Sequence, residues 1–344
     1  MLQFDMQKVR VAIVGMGYWG PKIARVLHLD PNYDLVGVSD LNPNLAADQL
    51  LKIGISNVPI LPDYQDLIAC NMDIVVIAVP PQAHILISNF FLSRKISVFV
   101  EKPFGLSQTD REKMVLLAQK NNVRLFVDHT YLFSPEFLAV KEAVSLGEIG
   151  PINFYTSSRV NLGLLQESTN VVEDLMIHDL AILDALKGET PIRVSCVGNR
   201  IKPSRQIGTA FANLIYADDF IANLSVSWYS PVKIRQINIV GQSGAITWND
   251  TSGSDRVKIY SSRIENDLTP EDFRISYHLG DGRIPRIAGI EPLIKEFQEI
   301  FFALTSESYP RTELANGESH IIRTGKTLEA LTRSLLIGEP VNVE

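Results

Sequence analysis

Residues 9–20 read VRVAIVGMGYWG, an apolar run of strand length that stops on three glycines spaced Gly15-x-Gly17-x-x-Gly20. The helix-compatible stretch PKIARVLHL follows at 21–29, so the segment predicts a strand, a tight turn and a helix start, the frame on which a dinucleotide pyrophosphate sits. Gly15 permits a turn that a Cβ would obstruct, Gly17 lets backbone amides approach phosphate oxygens, and Gly20 lets the helix lie close against the strand. The unpaired amides of the helix start face the negative charge. Tyr18 and Trp19, inside the same turn, join the three glycines as candidate cofactor-binding residues.

A second strand, 35–39, ends at Asp40, twenty positions beyond Gly20. A carboxylate there accepts hydrogen bonds from the adenosine ribose hydroxyls and repels a 2′-phosphate, which favours NAD over NADP. The next residues, Leu41-Asn42-Pro43, hold no Arg or Lys that could receive a phosphate. Capping of the following helix is the alternative role for Asp40, and the two are compatible.

The chain has 344 residues, longer than one core usually supports, so two domains are expected. With 32 Lys+Arg against 39 Asp+Glu and a net charge of −7, it offers no basic surface for nucleic acid. Cys70 and Cys196 are too few for a disulfide framework or a cysteine metal site, which points to a reducing compartment. The opening MLQFDMQKVR lacks an apolar signal core, and no apolar run reaches membrane-spanning length. A cytoplasmic protein without membrane partners is expected.

Through residue 128, strand-length runs at 10–14, 35–39, 58–61, 74–79, 97–100 and 124–127 alternate with helical stretches such as 43–53, 83–94 and 109–121. This rhythm predicts a doubly wound parallel sheet, an N-terminal α/β Rossmann domain over 1–128, with Ser107 capping a helix. The remainder, 129–344, reads as an α+β substrate and oligomerisation domain. Strands at 152–160, 192–198, 209–216, 220–227, 234–240, 245–248 and 257–260 follow one another there, predicting a large, mainly antiparallel sheet. Helices are expected at 136–146, 171–187, 290–304 and about 319–336, the last packing back on the first domain. The two domains are expected to pack closely around a cleft. A sheet with one uncovered face favours a homodimer or homotetramer.

Two clusters carry chemistry. Glu101-Lys102-Pro103 follows the strand at 97–100, and carboxyl strand ends line the ligand crevice of a doubly wound sheet, which puts Lys102 beside the cofactor. There it could bind a hydroxyl or shuttle its proton. A sharp bend at this point predicts a cis Lys102–Pro103 peptide. A Lys-Pro after a strand is also an ordinary surface turn. The second cluster is Asp174-Leu-Met-Ile-His178 in a strongly apolar helix, where positions i and i+4 share a face and present a carboxylate beside an imidazole. A structural pair satisfied in the core is the alternative. No third and fourth ligand stands at a recognisable spacing, so no metal is expected.

In this order and spacing, GMGYWG, AVPPQAH (78–84), VFVEKP (98–103), DLMIHDL (174–180) and a terminal helix followed by GEPVNV (338–343) resemble the glucose-fructose oxidoreductase and inositol dehydrogenase family, Gfo/Idh/MocA, over essentially the whole chain. The resemblance implies an NAD-dependent enzyme acting on a secondary hydroxyl of a sugar or on the matching ketone. It implies Lys102, Asp174 and His178 as catalytic and substrate-binding residues, with either Lys102 or His178 as the base. It adds Pro80, His84 and Glu101 to the cofactor site. HTYLF (129–133) and SSRVNLG (157–163) resemble members that oxidise nucleotide-linked sugars, such as UDP-N-acetylglucosaminuronic acid 3-dehydrogenases. On that likeness His129, Arg159 and Asn161 join the substrate site, Arg159 as a fork for a diphosphate or uronic carboxylate. The chain departs from the pattern at Met176-Ile177, where relatives carry a small residue and then Gly or Pro. A free polyol or hexose substrate is the rival within the class. A non-catalytic NAD-binding sensor is the rival outside it, against which the intact Lys102, Asp174 and His178 argue.

Overall fold

The structure, a computed structural model, describes residues 8–105, 107–163, 169–200, 205–264, 277–278, 280–287, 289–306, 309–310 and 315–344. The opening residues 1–7, read above for a signal core, lie outside them. The chain forms two compact units, Met1–Phe133 with Ile290–Gly325, and Ser134–Gly289 with Lys326–Glu344.

The first unit is built on six parallel strands: β1 (Val9–Val14), β2 (Tyr33–Ser39), β3 (Ile60–Leu61), β4 (Ile74–Ile77), β5 (Ser97–Val100) and β6 (Leu125–Val127). Their order is β3-β2-β1-β4-β5-β6, so the sheet reverses direction of growth between β1 and β4. Ligands of such folds bind at the carboxyl ends of the strands at this switch point. Five of the six β1 residues are buried, because both faces of a parallel sheet are covered. Helices α1 (Gly20–Leu29) and α2 (Pro43–Lys52) pack on one face, where Ile23, Leu27 and Leu50 meet Phe297 and Phe301 from a later helix. On the other face, α3 (His84–Leu92) and α4 (Gln108–Lys120) bury Phe91, Met114 and Val115.

Side chains close the starts of α2 and α4: Asn42 accepts from the Leu45 amide at 3.1 Å and Ser107 from the Asp110 amide at 3.1 Å. No side chain caps α1. Pro21 in its first turn has no amide N–H, and the Lys22 and Ile23 amides donate to the Trp19 oxygen at 2.9 and 3.1 Å.

In the second unit, α5 (Pro135–Ser145) is followed by β7 (Ile152–Leu162), α6 (Ile177–Lys187), β8 (Arg193–Asn199), β9 (Thr209–Ile215), β10 (Ile221–Ser227), β11 (Tyr229–Gly241), β12 (Ala245–Asn249) and β13 (Val257–Tyr260). The short β14 (Arg263–Ile264) and β15 (Tyr277–His278) pair with each other. With β16 (Gly282–Arg283) and β17 (Val341–Asn342), the rest forms a nine-stranded sheet ordered β16-β13-β12-β11-β7-β10-β9-β8-β17. All its pairings are antiparallel except β10 with β7, so the sheet is mixed and mainly antiparallel. One face of β7 buries Tyr155, Ser157 and Arg159, whereas Phe154, Phe211 and Ile221 are exposed on the other face. The remaining helices are α7 (Pro292–Thr305), which supplies Phe297 and Phe301, and α8 (Glu318–Ile337), which runs through the boundary at Gly325 and Lys326.

The expected helix over 171–187 is two structures. Val172–Met176 forms a single π-helical turn, and α6 begins only at Ile177.

Candidate active site

The glycines of the first turn divide the labour. Gly15 has φ of +97°, and a Cβ there would come within 2.4 Å of the Ala78 carbonyl oxygen, while a Cβ on Gly20 would lie 2.1 Å from the Gly15 oxygen. Both positions are closed to side chains by the protein itself. A Cβ on Gly17 would meet nothing within 4 Å, so the chain's own packing does not require glycine there. The open side suits an approaching phosphate, and the start of α1, which no side chain caps, lies beside it.

Gly15, Gly17, Asp40, Leu41, Asp63 and Pro80 help line a cavity of about 840 Å³ that has no Lys or Arg among its described lining residues. Asp40 accepts the Met16 amide at 2.7 Å through Oδ2 and the Asn42 amide at 2.8 Å through Oδ1, which fixes the carboxylate and leaves lone pairs for a ribose. Asn42, rather than Asp40, caps α2. Tyr18 and Trp19 do not line this cavity. Trp19 packs on the apolar layer beneath α1, and Tyr18, 74 % exposed, carries the Lys22 ammonium 3.4 Å above its ring.

Beyond β5, the Lys102–Pro103 peptide is cis, and Lys102 is half-buried. His84 and Glu101, expected to touch the cofactor, are turned inward instead. His84 is fully buried, with Nε2 2.8 Å from the Val79 oxygen and Nδ1 3.2 Å from the Pro103 oxygen, so it ties the loop after β4 to the loop that carries Lys102. Burial pulls this imidazole below its ordinary range against the pull of the two carbonyls. Arg111 braces the same loop from α4, donating to the Phe104 and Gly105 oxygens at 3.3 and 2.7 Å and to the Gly325 oxygen at 3.0 Å.

Glu101 lies against Asp128, and burial followed by that neighbour pushes its carboxyl well above the usual carboxylate range. His129 is buried edge-on to His320, ring centroids 4.9 Å apart, and burial, then His320 and Lys102, hold it in the neutral form. Its amide donates to Glu296 Oε1 at 3.2 Å. Neither Asp128 nor Glu296 stood out in the sequence, yet a signal existed. Glu296 falls in the buried stripe Leu293, Phe297, Ile300 of α7, and an acid on the apolar face of a helix needs a partner.

The second unit holds the other expected residues. Asn170 caps the turn at 172–176, accepting the Val172 and Glu173 amides at 2.9 and 3.2 Å, while Glu173 accepts the Asn170 amide at 3.0 Å. Burial pushes the Glu173 carboxyl up. Asp174 accepts the Trp228 indole N–H at 3.0 Å, which anchors the π turn to the strand side of the unit. Extra residues in a helical turn are a recurrent device for aiming functional side chains. Asp174 and His178 are both half-buried. Asp174 lies within the π turn and His178 in the first turn of α6.

Arg159 requires a correction. Its Nε and Nη2 donate to Asp179 on α6 at 2.9 and 3.1 Å, both side chains being 5 % or less exposed, so the guanidinium fork expected to grip a ligand already holds a buried carboxylate. Asn161, two residues on along β7, is half-buried. Among the described residues no group of His, Cys, Asp and Glu could hold a metal ion, and no helix is long and apolar enough to cross a membrane.

Comparison with known proteins supplies the family. Residues 9–129 match the oxidoreductase family with NAD-binding Rossmann fold, and residues 137–247 match the GFO/IDH/MocA C-terminal domain. The chain is 24 % identical over 290 residues to the UDP-N-acetylglucosamine 3-dehydrogenase of Acidithiobacillus ferrooxidans, covering 83 % of this chain and 82 % of that protein. It is 26 % identical over 192 residues to an inositol 2-dehydrogenase of Rhizobium meliloti, covering 54 % and 57 %. Among solved structures, GenD2 from gentamicin A biosynthesis, in complex with NAD, superposes with a TM-score of 0.81 at 19 % identity, covering 98 % of this chain and 97 % of that one. The A. ferrooxidans enzyme superposes at 0.79 with 20 % identity, covering 96 % and 98 %. The uncapped helix start, the open side of Gly17 and the ribose-ready Asp40 fit the cofactor of that fold. The chain belongs to the Gfo/Idh/MocA family of NAD-dependent oxidoreductases.

Proposed function

We propose that the protein oxidises a secondary alcohol of a nucleotide-linked sugar, or reduces the corresponding ketone. The reading is carried by the likeness, over four fifths of the chain, to a relative named UDP-N-acetylglucosamine 3-dehydrogenase. NAD, when bound, would supply the hydride chemistry. The chain's residues bind, orient and move the proton. Gly15, Gly17 and Gly20 shape the turn that admits the pyrophosphate to the amides of α1, Asp40 holds the ribose hydroxyls, and Pro80 borders the same cavity. Lys102 and His178 bind the reacting hydroxyl, and one of them takes its proton. Asp174, anchored by Trp228, orients His178, while His129 and Asn161 complete the substrate contacts.

Two measurements test this. NAD(H) is expected to bind at least about tenfold more tightly than NADP(H), roughly 1.4 kcal/mol, because two carboxylates and no described cation line the cavity. Equal affinities, or a preference for NADP(H), would remove the role given to Asp40. In thermal-shift assays with NAD present, UDP-N-acetylhexosamines and UDP-uronic acids are expected to protect the protein, while inositols and free hexoses are not. The reverse pattern would transfer the assignment to a free polyol, the reading that the inositol dehydrogenase relatives favour.

A further inference from the structure

Behind the loop that carries Lys102 lies a group of ionisable side chains with no task in the reaction above. Glu101 follows β5 and Asp128 follows β6, two adjacent parallel strands, so the two carboxyls meet at neighbouring strand ends. The parallel register that pairs Val100 with Val127 makes Glu101 and Asp128 the next residues along, and both are buried, 6 % and 4 % exposed. Two carboxylates repel; a hydrogen bond between them requires a proton. Asp128 already accepts the Thr130 amide at 3.0 Å and the Thr130 hydroxyl at 2.6 Å through Oδ1. Burial, and then Asp128, push the Glu101 carboxyl well above the usual carboxylate range, which places the proton of the pair on Glu101.

Four further titratable groups stand around the pair. Lys102 faces it from the loop after β5, His129 from the residue after Asp128, Glu296 from α7 and His320 from α8. Glu296 accepts the His129 amide and, at 2.8 Å, the Asn316 side-chain amide, and burial followed by Asp128 pushes it upward. His129 is neutral. With Glu101 protonated, the pair carries at most one negative charge beside Lys102.

We propose that Glu101 and Asp128 share a single proton and serve as a positioning pair for Lys102, presenting it with one negative charge rather than two. The functional half of this proposal rests on Lys102 standing at the reacting hydroxyl. The chemical half does not. Infrared spectra of the full-length protein near neutral pH are expected to contain a protonated-carboxyl C=O band that disappears in Glu101→Gln and is displaced in Asp128→Asn, where the proton's acceptor becomes an amide. Glu296→Gln serves as the control, removing a separate component. The sign of the stability effect follows from Glu101 being pushed up: its unfolded form ionises first, so wild type loses ground to Glu101→Gln in Tm as pH rises from about 5 to 8. If neither variant alters the band and the Tm difference is independent of pH, the shared proton does not exist. Should Glu101→Gln fail to fold, the displaced band in Asp128→Asn decides alone. In turnover, Glu101→Gln/Asp128→Asn removes the pair's charge and is expected to displace the pH profile of kcat further than either single variant. If all three profiles coincide with wild type while the band behaves as expected, the pair is structural. If Lys102→Ala keeps its rate, the assignment of Lys102 falls and the infrared result stands.

Discussion

Replacing Lys102 or His178 by alanine is expected to slow the hydride-transfer step by about 10²–10⁴, the usual cost of deleting a group that moves a proton in the transition state. NAD affinity should stay within a few fold, because the glycine turn, Asp40 and the cavity they border are built without either side chain. Single-turnover formation of NADH fluorescence, with cofactor affinity titrated separately, resolves the two effects. Asp174→Asn should follow His178→Ala in direction with a smaller loss, since in the proposed mechanism Asp174 acts through the imidazole and an asparagine oxygen can still accept the Trp228 N–H. Near-normal single-turnover rates in both alanine variants would falsify the assignment and leave Asp174 and His178 as a structural pair.

The second large effect concerns folding. Arg159→Ala should cost about 3–5 kcal/mol, because it strands the Asp179 carboxylate in a site that excludes water. Arg159→Met/Asp179→Leu should recover most of that loss, as apolar replacements of a buried ion pair commonly do. Denaturant unfolding followed by tryptophan fluorescence can assign the change, since Trp228 and Trp248 belong to the same unit as the pair and Trp19 to the other. A loss below about 1 kcal/mol together with a raised KM would instead return Arg159 to the substrate.

What was legible in the sequence was local. The Rossmann turn announces itself because its glycines answer steric demands within a dozen residues, and Ser107 caps its helix through an amide three positions away. The cis peptide before Pro103 belongs to the same class. What escaped was set by partners distant in the chain. The π turn at 172–176 is held by Trp228, more than fifty residues on, and a periodicity count sees only another turn of helix. Arg159 looks like a free fork until α6 brings Asp179 beneath it. His84 sits in a motif and so reads as a ligand group, although both its nitrogens lie against loop carbonyls. The parallel pairing of β10 with β7 leaves no mark on either strand, since both alternate as antiparallel strands do.

The nine-stranded sheet finishes at both margins with strands of only two residues, Gly282–Arg283 and Val341–Asn342. Strands that short offer an arriving chain few unpaired amides of their own to template on. The covering at one end comes from late in the sequence: Val341 pairs with Val194 and Asn342 with Arg193 at the start of β8. Whatever self-association this sheet supports is thereby directed away from its margins and onto its broad side, where Phe154, Phe211 and Ile221 are exposed. Stacking of that kind stops at two layers, whereas strand addition has no natural end.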